Sequence, residues 1–395
     1  MKRGKNMRIM NLGKQSLVIA LLIFASVLFS SQISSAIQLD YTEGGHLDTD
    51  FVDAKFMAEW WYLNGKLELI SPSDEIKTIG VFIVMAHQES PMLVVAEIHV
   101  SHMLTFCGLY PENGEPTIHY DNAFIPRNLL KDFVGIHKPY VKYRYPKGPK
   151  KTLKGNAQLG YYLNYTAYNI KMNLYFKPKV VKTIDEAAFP LNFTTYERAY
   201  GEIFGSVILN EELYKVIGFK SEGYMDHMIP FSTSEDTTWP MEMNGWNWFE
   251  VTTKDYQAIF YGIRGLEDGF DTYSYKHLTL LSRDNGIVLD EYEGNEIIID
   301  ETDWVNDTAG FLSIPIERPT KVILEIIDDD TKIKVNAGLV NRFDPDNLDN
   351  SPTSFVDFMG YEPGNAEITF DGETQTGSSF FEYLVSDFGA YITLP

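Results

Sequence analysis

The chain has 395 residues and a formal net charge of −22, with 33 basic against 55 acidic side chains. That balance argues against nucleic acid or an anionic membrane surface as a partner held by charge. The length exceeds one comfortable core, so two domains are expected. The single cysteine, Cys107, excludes an internal disulfide.

Lys2, Arg3, Lys5, Arg8 and Lys14 precede an apolar run from Leu17 to Phe29, and Ser34–Ser35–Ala36 supplies small residues behind it. The run is shorter than the ~20 apolar residues that cross a bilayer, so residues 1–36 read as a secretory signal peptide. An N-terminal anchor that is never cleaved is the alternative. No later stretch has the length and apolarity of a transmembrane helix, so the expected mature protein is secreted or lies at the extracytoplasmic cell surface.

Aromatic residues make up 14% of the chain, and short alternating or apolar runs recur between turns rich in Gly, Asn and Asp. No helical period persists, so the reading is all-β. In Trp60–Leu69, Trp61, Leu63, Leu67 and Leu69 share one face, while Tyr62, Asn64, Lys66 and Glu68 share the other. Ile79–Ala86 follows as a continuous apolar strand, and Leu93–His102 as an alternating one after a turn at Ser90–Pro91. The basic patch Lys138–Lys154 reads as a solvated strand edge that discourages edge-to-edge pairing.

Further strands are expected at 159–168, 170–176, 201–209 and 213–219, the last two joined through Asn210–Glu211–Glu212. Beyond residue 250 come 256–264, then 278–282 and 287–292 around Asp284–Asn285–Gly286, a strong hairpin signal. Segments 321–327, 332–339, 367–370, 379–385 and 390–394 complete the set. The turn-rich connection near 220–245 is the natural boundary, which gives domains at 37–225 and 226–395. Two halves of short antiparallel strands suggest sandwiches or barrels, and barrels of about eight strands can hold one small ligand.

Three motifs carry a family resemblance. They are Glu59–Trp60–Trp61–Tyr62–Leu63–Asn64–Gly65, then Gly223–Tyr224–Met225–Asp226–His227 with Gly245–Trp246–Asn247–Trp248–Phe249, and finally Gly377–Ser378–Ser379–Phe380–Phe381–Glu382–Tyr383. In order and spacing they resemble the AttH-like, carotenoid 1,2-hydratase-like family over about residues 50 to 390. The resemblance implies two tandem lipocalin-like antiparallel β-barrel domains enclosing a hydrophobic cavity. It also implies reactions that range from hydration of carotenoid double bonds to polyketide cyclisation. The chain departs from hydratase-like members in having Met228–Ile229–Pro230 where Asp-His is followed by x-Trp-Gly, which predicts the loss of an aromatic wall at Ile229.

The candidate chemistry centres on Asp226 and His227. A carboxylic acid in an apolar pocket keeps its proton near neutral pH, and aromatic faces stabilise a developing cation. Asp226 as acid and His227 as its proton partner, with Trp248 and Tyr261 as walls, would suit hydration of an alkene. The alternative is a hydrogen-bonded pair that fixes the crossover between barrels. Adjacent strand residues also point to opposite faces, so the two need not share one cavity. Glu59, Trp61, Tyr224, Trp246, Trp248 and Tyr261 are the candidate ligand-binding residues.

No cofactor is expected and no metal site, since His87, His99 and His102 lack ligand spacing and no cysteine supports them. Asp344–Asn350 lacks the glycine of an EF-hand loop. The expected function is therefore binding of a hydrophobic small molecule, lipid or isoprenoid. A hydratase, isomerase or cyclase is the alternative, and a carbohydrate-binding or purely structural surface domain the second.

Overall fold

The structure is a computed structural model and describes residues 43–47, 50, 56–95, 98–112, 116–187, 192–232, 243–266, 272–309, 314–327, 330–336, 340–343 and 355–386. The expected signal peptide, the acidic Asp344–Asn350 segment and the expected strand 390–394 lie outside the described residues.

Two large antiparallel sheets dominate. The first comprises Phe56–Ile70 (β1), Ile76–Val95 (β2), Ile98–Pro111 (β3), Thr117–Pro126 (β4), Val141–Arg144 (β5) and Lys151–Asn156 (β6). It continues with Gly160–Ala167 (β7), Ile170–Ala187 (β8), Asn192–Leu209 (β9), Glu212–Val216 (β10) and Glu222–Ser232 (β11). Its order is β4-β3-β2-β1-β10-β9-β8-β7-β6-β5, with β11 bridging β1 and β9, so it forms a nearly closed barrel. The expected division at 225/226 falls within β11.

The second sheet begins with Met243–Thr252 (β12), Tyr256–Gly265 (β13), Tyr275–Ser282 (β14), Val288–Glu293 (β15) and Ile297–Thr302 (β16). Val305–Ala309 (β17) and Ile314–Arg318 (β18) pair separately, and Lys321–Ile326 (β19), Lys332–Asn336 (β20), Val340–Phe343 (β21), Phe355–Phe370 (β22) and Glu373–Ser386 (β23) return to the sheet. This all-β architecture agrees with tandem lipocalin-like barrels. Among the described residues no helix is long and apolar enough to cross a membrane.

Alternation along β1 decides which core each residue enters. Trp61, Leu63, Leu67 and Leu69 join the interior of the first barrel with Met85, Tyr143, Tyr161, Tyr165 and Phe176. Their neighbours Ala58 and Tyr62 pack instead on Trp248, Tyr261 and Leu384 of the second sheet, so the two sheets meet through an aromatic layer. A third cluster around Phe249, Phe260, Val322 and Tyr383 fills the inner face of the second sheet. The first barrel is thus occupied by its own side chains.

One expected strand differs. Leu93–His102 is not continuous: β2 runs to Val95 and β3 starts at Ile98, with Val95 opposite Ile98. Pro91, read as part of a turn, lies within β2, where the β2–β3 register is irregular between Ser90 and Val95. A proline lacks the ladder N–H and is accommodated at such an irregularity. The basic patch lies on β5 and β6, and β5 ends the sheet order as an edge. Lys151 turns inward, paired with Asp121 and lying over Tyr145 and Tyr165.

Candidate functional site

β11 is where the two candidate chemistries separate. Its pairing with β1 sets His227 opposite Trp61, and Asp226 opposite Tyr62. Successive side chains on a strand face opposite sides, so His227 enters the first barrel while Asp226 enters the layer between the sheets. The two residues therefore belong to different sites.

Asp226 is 5% exposed. Tyr224 donates a hydrogen bond to its Oδ2 (3.0 Å), and the Tyr224 and Tyr261 hydroxyls share one at 2.8 Å. Glu197 lies 3.4 Å from the Tyr224 hydroxyl. Burial pushes the Asp226 carboxyl well above the usual range, and the charges of Glu197 and Glu382 push the same way against the Tyr224 hydrogen bond. Its Oδ1 has no hydrogen-bond partner among the described residues, and neither has the Trp248 indole N–H. Burial that favours the protonated form, with one oxygen held and the other unengaged, is the setting in which a carboxylic acid can deliver a proton.

Asp226 lines a cavity of about 40 Å³ together with Trp60, Tyr62, Trp246, Trp248, Tyr261 and Glu382. An adjoining cavity of about 80 Å³ shares Trp60, Tyr62, Trp246 and Glu382 and continues along Val84, Leu104, Phe106 and Met359. Trp60 and Trp246 stand between them with ring centroids 5.9 Å apart, and the Trp246 N–H donates to Glu382 (2.7 Å). Tyr62 meets Trp248 edge-on at 5.3 Å, and Tyr224 lies 5.4 Å from the same indole. The surroundings are aromatic faces around two acids, Asp226 and Glu382.

On the other side of β1 and β11, Glu59 is fully buried. His227 Nε2 meets its Oε1 at 2.7 Å, His46 Nδ1 meets the same oxygen at 2.8 Å, and His87 Nε2 meets Oε2 at 2.5 Å. The His46 backbone N–H also donates to Oε2 (3.0 Å). Burial alone would raise this carboxyl, but the hydrogen bonds from His227, His46 and His87 outweigh it and hold Glu59 well below the usual range. Burial lowers the His227 imidazole, whereas at His46 the Glu59 hydrogen bond and charge overcome burial and raise it.

Register explains this second cluster. Glu59 is paired with His87 across β1–β2, and His227 is one diagonal step away across β1–β11. His46 arrives on an N-terminal segment that bridges Ile136 through Gly45. A Cβ on Gly44 would meet the Lys138 carbonyl oxygen at 2.3 Å, so glycine permits the approach. The His227 ring stacks on Trp61 at 4.8 Å. His46, Glu59 and His227 present donor atoms within 4.8 Å of one another, an arrangement that could hold a metal ion.

The sequence-derived residues are thus divided. Asp226, Tyr224, Trp246, Trp248 and Tyr261 gather between the sheets, whereas His227, Glu59 and Trp61 gather inside the first barrel. Ile229 is fully buried and alternates with Asp226, on the side of His227. A tryptophan there would face the barrel, so the departure at this position leaves the aromatic wall of the Asp226 cavity intact. That corrects the expected loss. Trp60, Tyr62, Glu197, Glu382, His46 and His87 were not selected from sequence. Alternation on β1 marks Trp60 and Tyr62, while no local signal marks Glu197 or His46. His99, weighed with His87 and His102, has its side chain outside the described residues. His102 is buried against Phe124, away from the Glu59 cluster, and burial lowers its imidazole to about 4.

A third concavity of about 1200 Å³, along Pro126–Lys142 at Leu47, is lined largely by exposed and basic side chains and holds none of these residues.

No protein-family profile and no curated protein matches the sequence. Among solved structures the chain is similar to a provisionally assigned AttH from Nitrosomonas europaea, at 14% identity and a TM-score of 0.59, over 89% of this chain and 96% of that one. It is also similar to kievitone hydratase from Nectria haematococca, at 9% identity and 0.55, over 84% and 89%. A third similar structure is CghA with Sch210972, at 10% identity and 0.51, over 84% and 89%. At such identities the likeness is one of fold. The chain has the AttH-like, tandem lipocalin-like fold that its three sequence motifs resemble.

Proposed function

We propose that this protein binds a hydrophobic small molecule carrying a carbon–carbon double bond in the layer between its sheets, and that Asp226 protonates it. The observation that carries this reading is the buried Asp226, its carboxyl raised well above the usual range by burial, with its Oδ1 unengaged in a cavity that Trp246 and Trp248 also line. Similar folds in kievitone hydratase and in CghA with Sch210972 support a small organic substrate for this architecture. The ligand would be lipid- or isoprenoid-like, since burying apolar surface returns ~25 cal/mol per Å².

In the proposed step the Oδ1 proton adds to one alkene carbon and leaves a cation on the other. Indole and phenol faces stabilise that cation by roughly 0.5–2 kcal/mol each. Water adds to the cation and loses a proton to the Asp226 carboxylate, which completes a hydration with the acid restored. Loss of a proton from a neighbouring carbon would give an isomerisation through the same cation. Tyr224 and Tyr261 hold the acid and connect it to Glu197.

The two cavities of about 40 and 80 Å³ hold only a few waters, each needing ~30 Å³. Admission of a ligand therefore requires Trp60 and Trp246 to part. Export through residues 1–36 belongs to the same proposal and rests on their basic and apolar pattern. Extraction of the natively purified protein, followed by mass spectrometry and a binding panel read by tryptophan fluorescence, tests the ligand class. The proposal expects an isoprenoid or lipid that quenches or shifts the indole emission. If no such molecule is carried or bound, the reading fails.

A further inference from the structure

We propose that the first barrel contains a divalent transition-metal site whose ligands are His46 Nδ1, Glu59 Oε1 and His227 Nε2. The site is separate from the Asp226 pocket and does not rest on the function proposed there.

The two imidazole nitrogens converge on one carboxylate oxygen, at 2.8 and 2.7 Å, and all three donor atoms lie within 4.8 Å of one another. Zinc binds histidine nitrogen at ~2.0–2.1 Å and carboxylate oxygen at ~2.0–2.2 Å, so both nitrogens must come within ~4.2 Å of each other, and side-chain rotation of His46 and His227 about Glu59 would seat an ion among them. Two histidines and one carboxylate form the ligand set of open zinc centres and of facial-triad iron centres. A hard oxygen-seeking cation such as calcium suits it poorly, because two of three donors are imidazoles.

The surroundings are built as metal sites require. The second carboxylate oxygen, Oε2, is held by His87 Nε2 (2.5 Å) and by the His46 backbone N–H (3.0 Å). Such outer partners fix the orientation of a ligating carboxylate. The His227 ring is fixed by its stack on Trp61. Glu59 and His227 are buried, while the His46 side chain keeps 16% exposure, which gives the ion an approach from the segment that carries it. Three protein ligands leave a fourth position for water or an anionic group. His87 acts here as a positioning residue and is not a ligand.

The test uses the full chain, stripped with a chelator and titrated with Zn²⁺ by calorimetry, and separately loaded with Co²⁺ for its visible absorption. We expect one Zn²⁺ per chain and a Co²⁺ spectrum of low coordination number. His46→Gln and His227→Gln should weaken binding at least tenfold. His87→Gln should weaken it by ~10–100-fold through the freed carboxylate. Circular dichroism confirms that each variant is folded. His46→Gln alters the least buried ligand and is the variant least prone to misfold, while the Co²⁺ spectrum needs no variant at all. Absence of stoichiometric binding, or stoichiometric binding that His46→Gln leaves unchanged, overturns the site.

Discussion

Asp226 and His227 are consecutive on one strand, yet they serve different compartments. The Asp226 carboxyl is held by Tyr224 at 3.0 Å between the sheets, and the His227 imidazole is held by Glu59 at 2.7 Å inside the first barrel. A direct proton exchange between them is excluded by strand geometry. Substitutions at the two positions should therefore have separable effects.

Asp226→Asn keeps the shape of the pocket but removes the acid. Turnover of a substrate found by the binding panel should fall by ~10²–10⁴-fold, the usual contribution of a general acid, with ligand affinity nearly unchanged. His227→Gln should leave that turnover within a few-fold of the parent. Steady-state kinetics on both variants checks the pair.

Tyr224→Phe deletes the O–H that stabilises the ionised form of Asp226. A hydrogen bond to a charged group contributes about 1.5–3 kcal/mol, so the Asp226 pKa should rise by a further one to two units. The high-pH limb of the rate profile, which reports loss of the acid, should move upward by that amount.

Glu250 tests the electrostatics of the second sheet. Burial raises its carboxyl to about 7, against the hydrogen bonds from Thr252 and Gln257. A raised folded-state value means that this group's stability is full below the unfolded carboxyl pKa, near 4.3. It is then lost as pH rises through about 7. The loss is on the order of 3 kcal/mol. Glu250→Gln should flatten the difference in denaturant midpoint between pH 5 and pH 8.

Glu59 has the opposite sign. Its folded-state carboxyl lies below the ordinary range, so its stabilisation is present above the unfolded carboxyl pKa and disappears as pH falls through the folded value. Glu59→Ala, which leaves three imidazoles facing an emptied site in the barrel, should cost about 3–5 kcal/mol in equilibrium unfolding.

The gating role of the indoles is tested at Trp60. Trp60→Ala should join the two cavities and speed association of bulky ligands, at a cost of about 2 kcal/mol because the side chain is only half-buried. Stopped-flow fluorescence measures the association rate.

Much of the fold is legible in the sequence because strand alternation is a local property. Trp61, Leu63, Leu67 and Leu69 declare one face of β1 without knowledge of its partners. The Asp-Asn-Gly turn at 284–286 likewise declares its hairpin, with Gly286 at φ 70. What the sequence conceals is register. Glu59, His87 and His227 meet because β1 lies between β2 and β11, and His46 joins them through a bridge to Ile136. No spacing encodes such a cluster, which is why a motif search for metal ligands passes over it. The motif Gly223–His227 marked the right strand, but a contiguous motif cannot show that its last two residues face apart. The same blindness made Ile229 look like a missing pocket wall, when alternation carries it into the barrel.

The most direct test of the central claim is proton delivery by Asp226. An alkene ligand identified by extraction or by the panel is incubated with the protein in D₂O, and the product is examined by mass spectrometry. The account predicts one non-exchangeable deuterium on carbon in the parent protein and none, with binding retained, in Asp226→Asn. Deuterium incorporation at the parental rate by Asp226→Asn would contradict it.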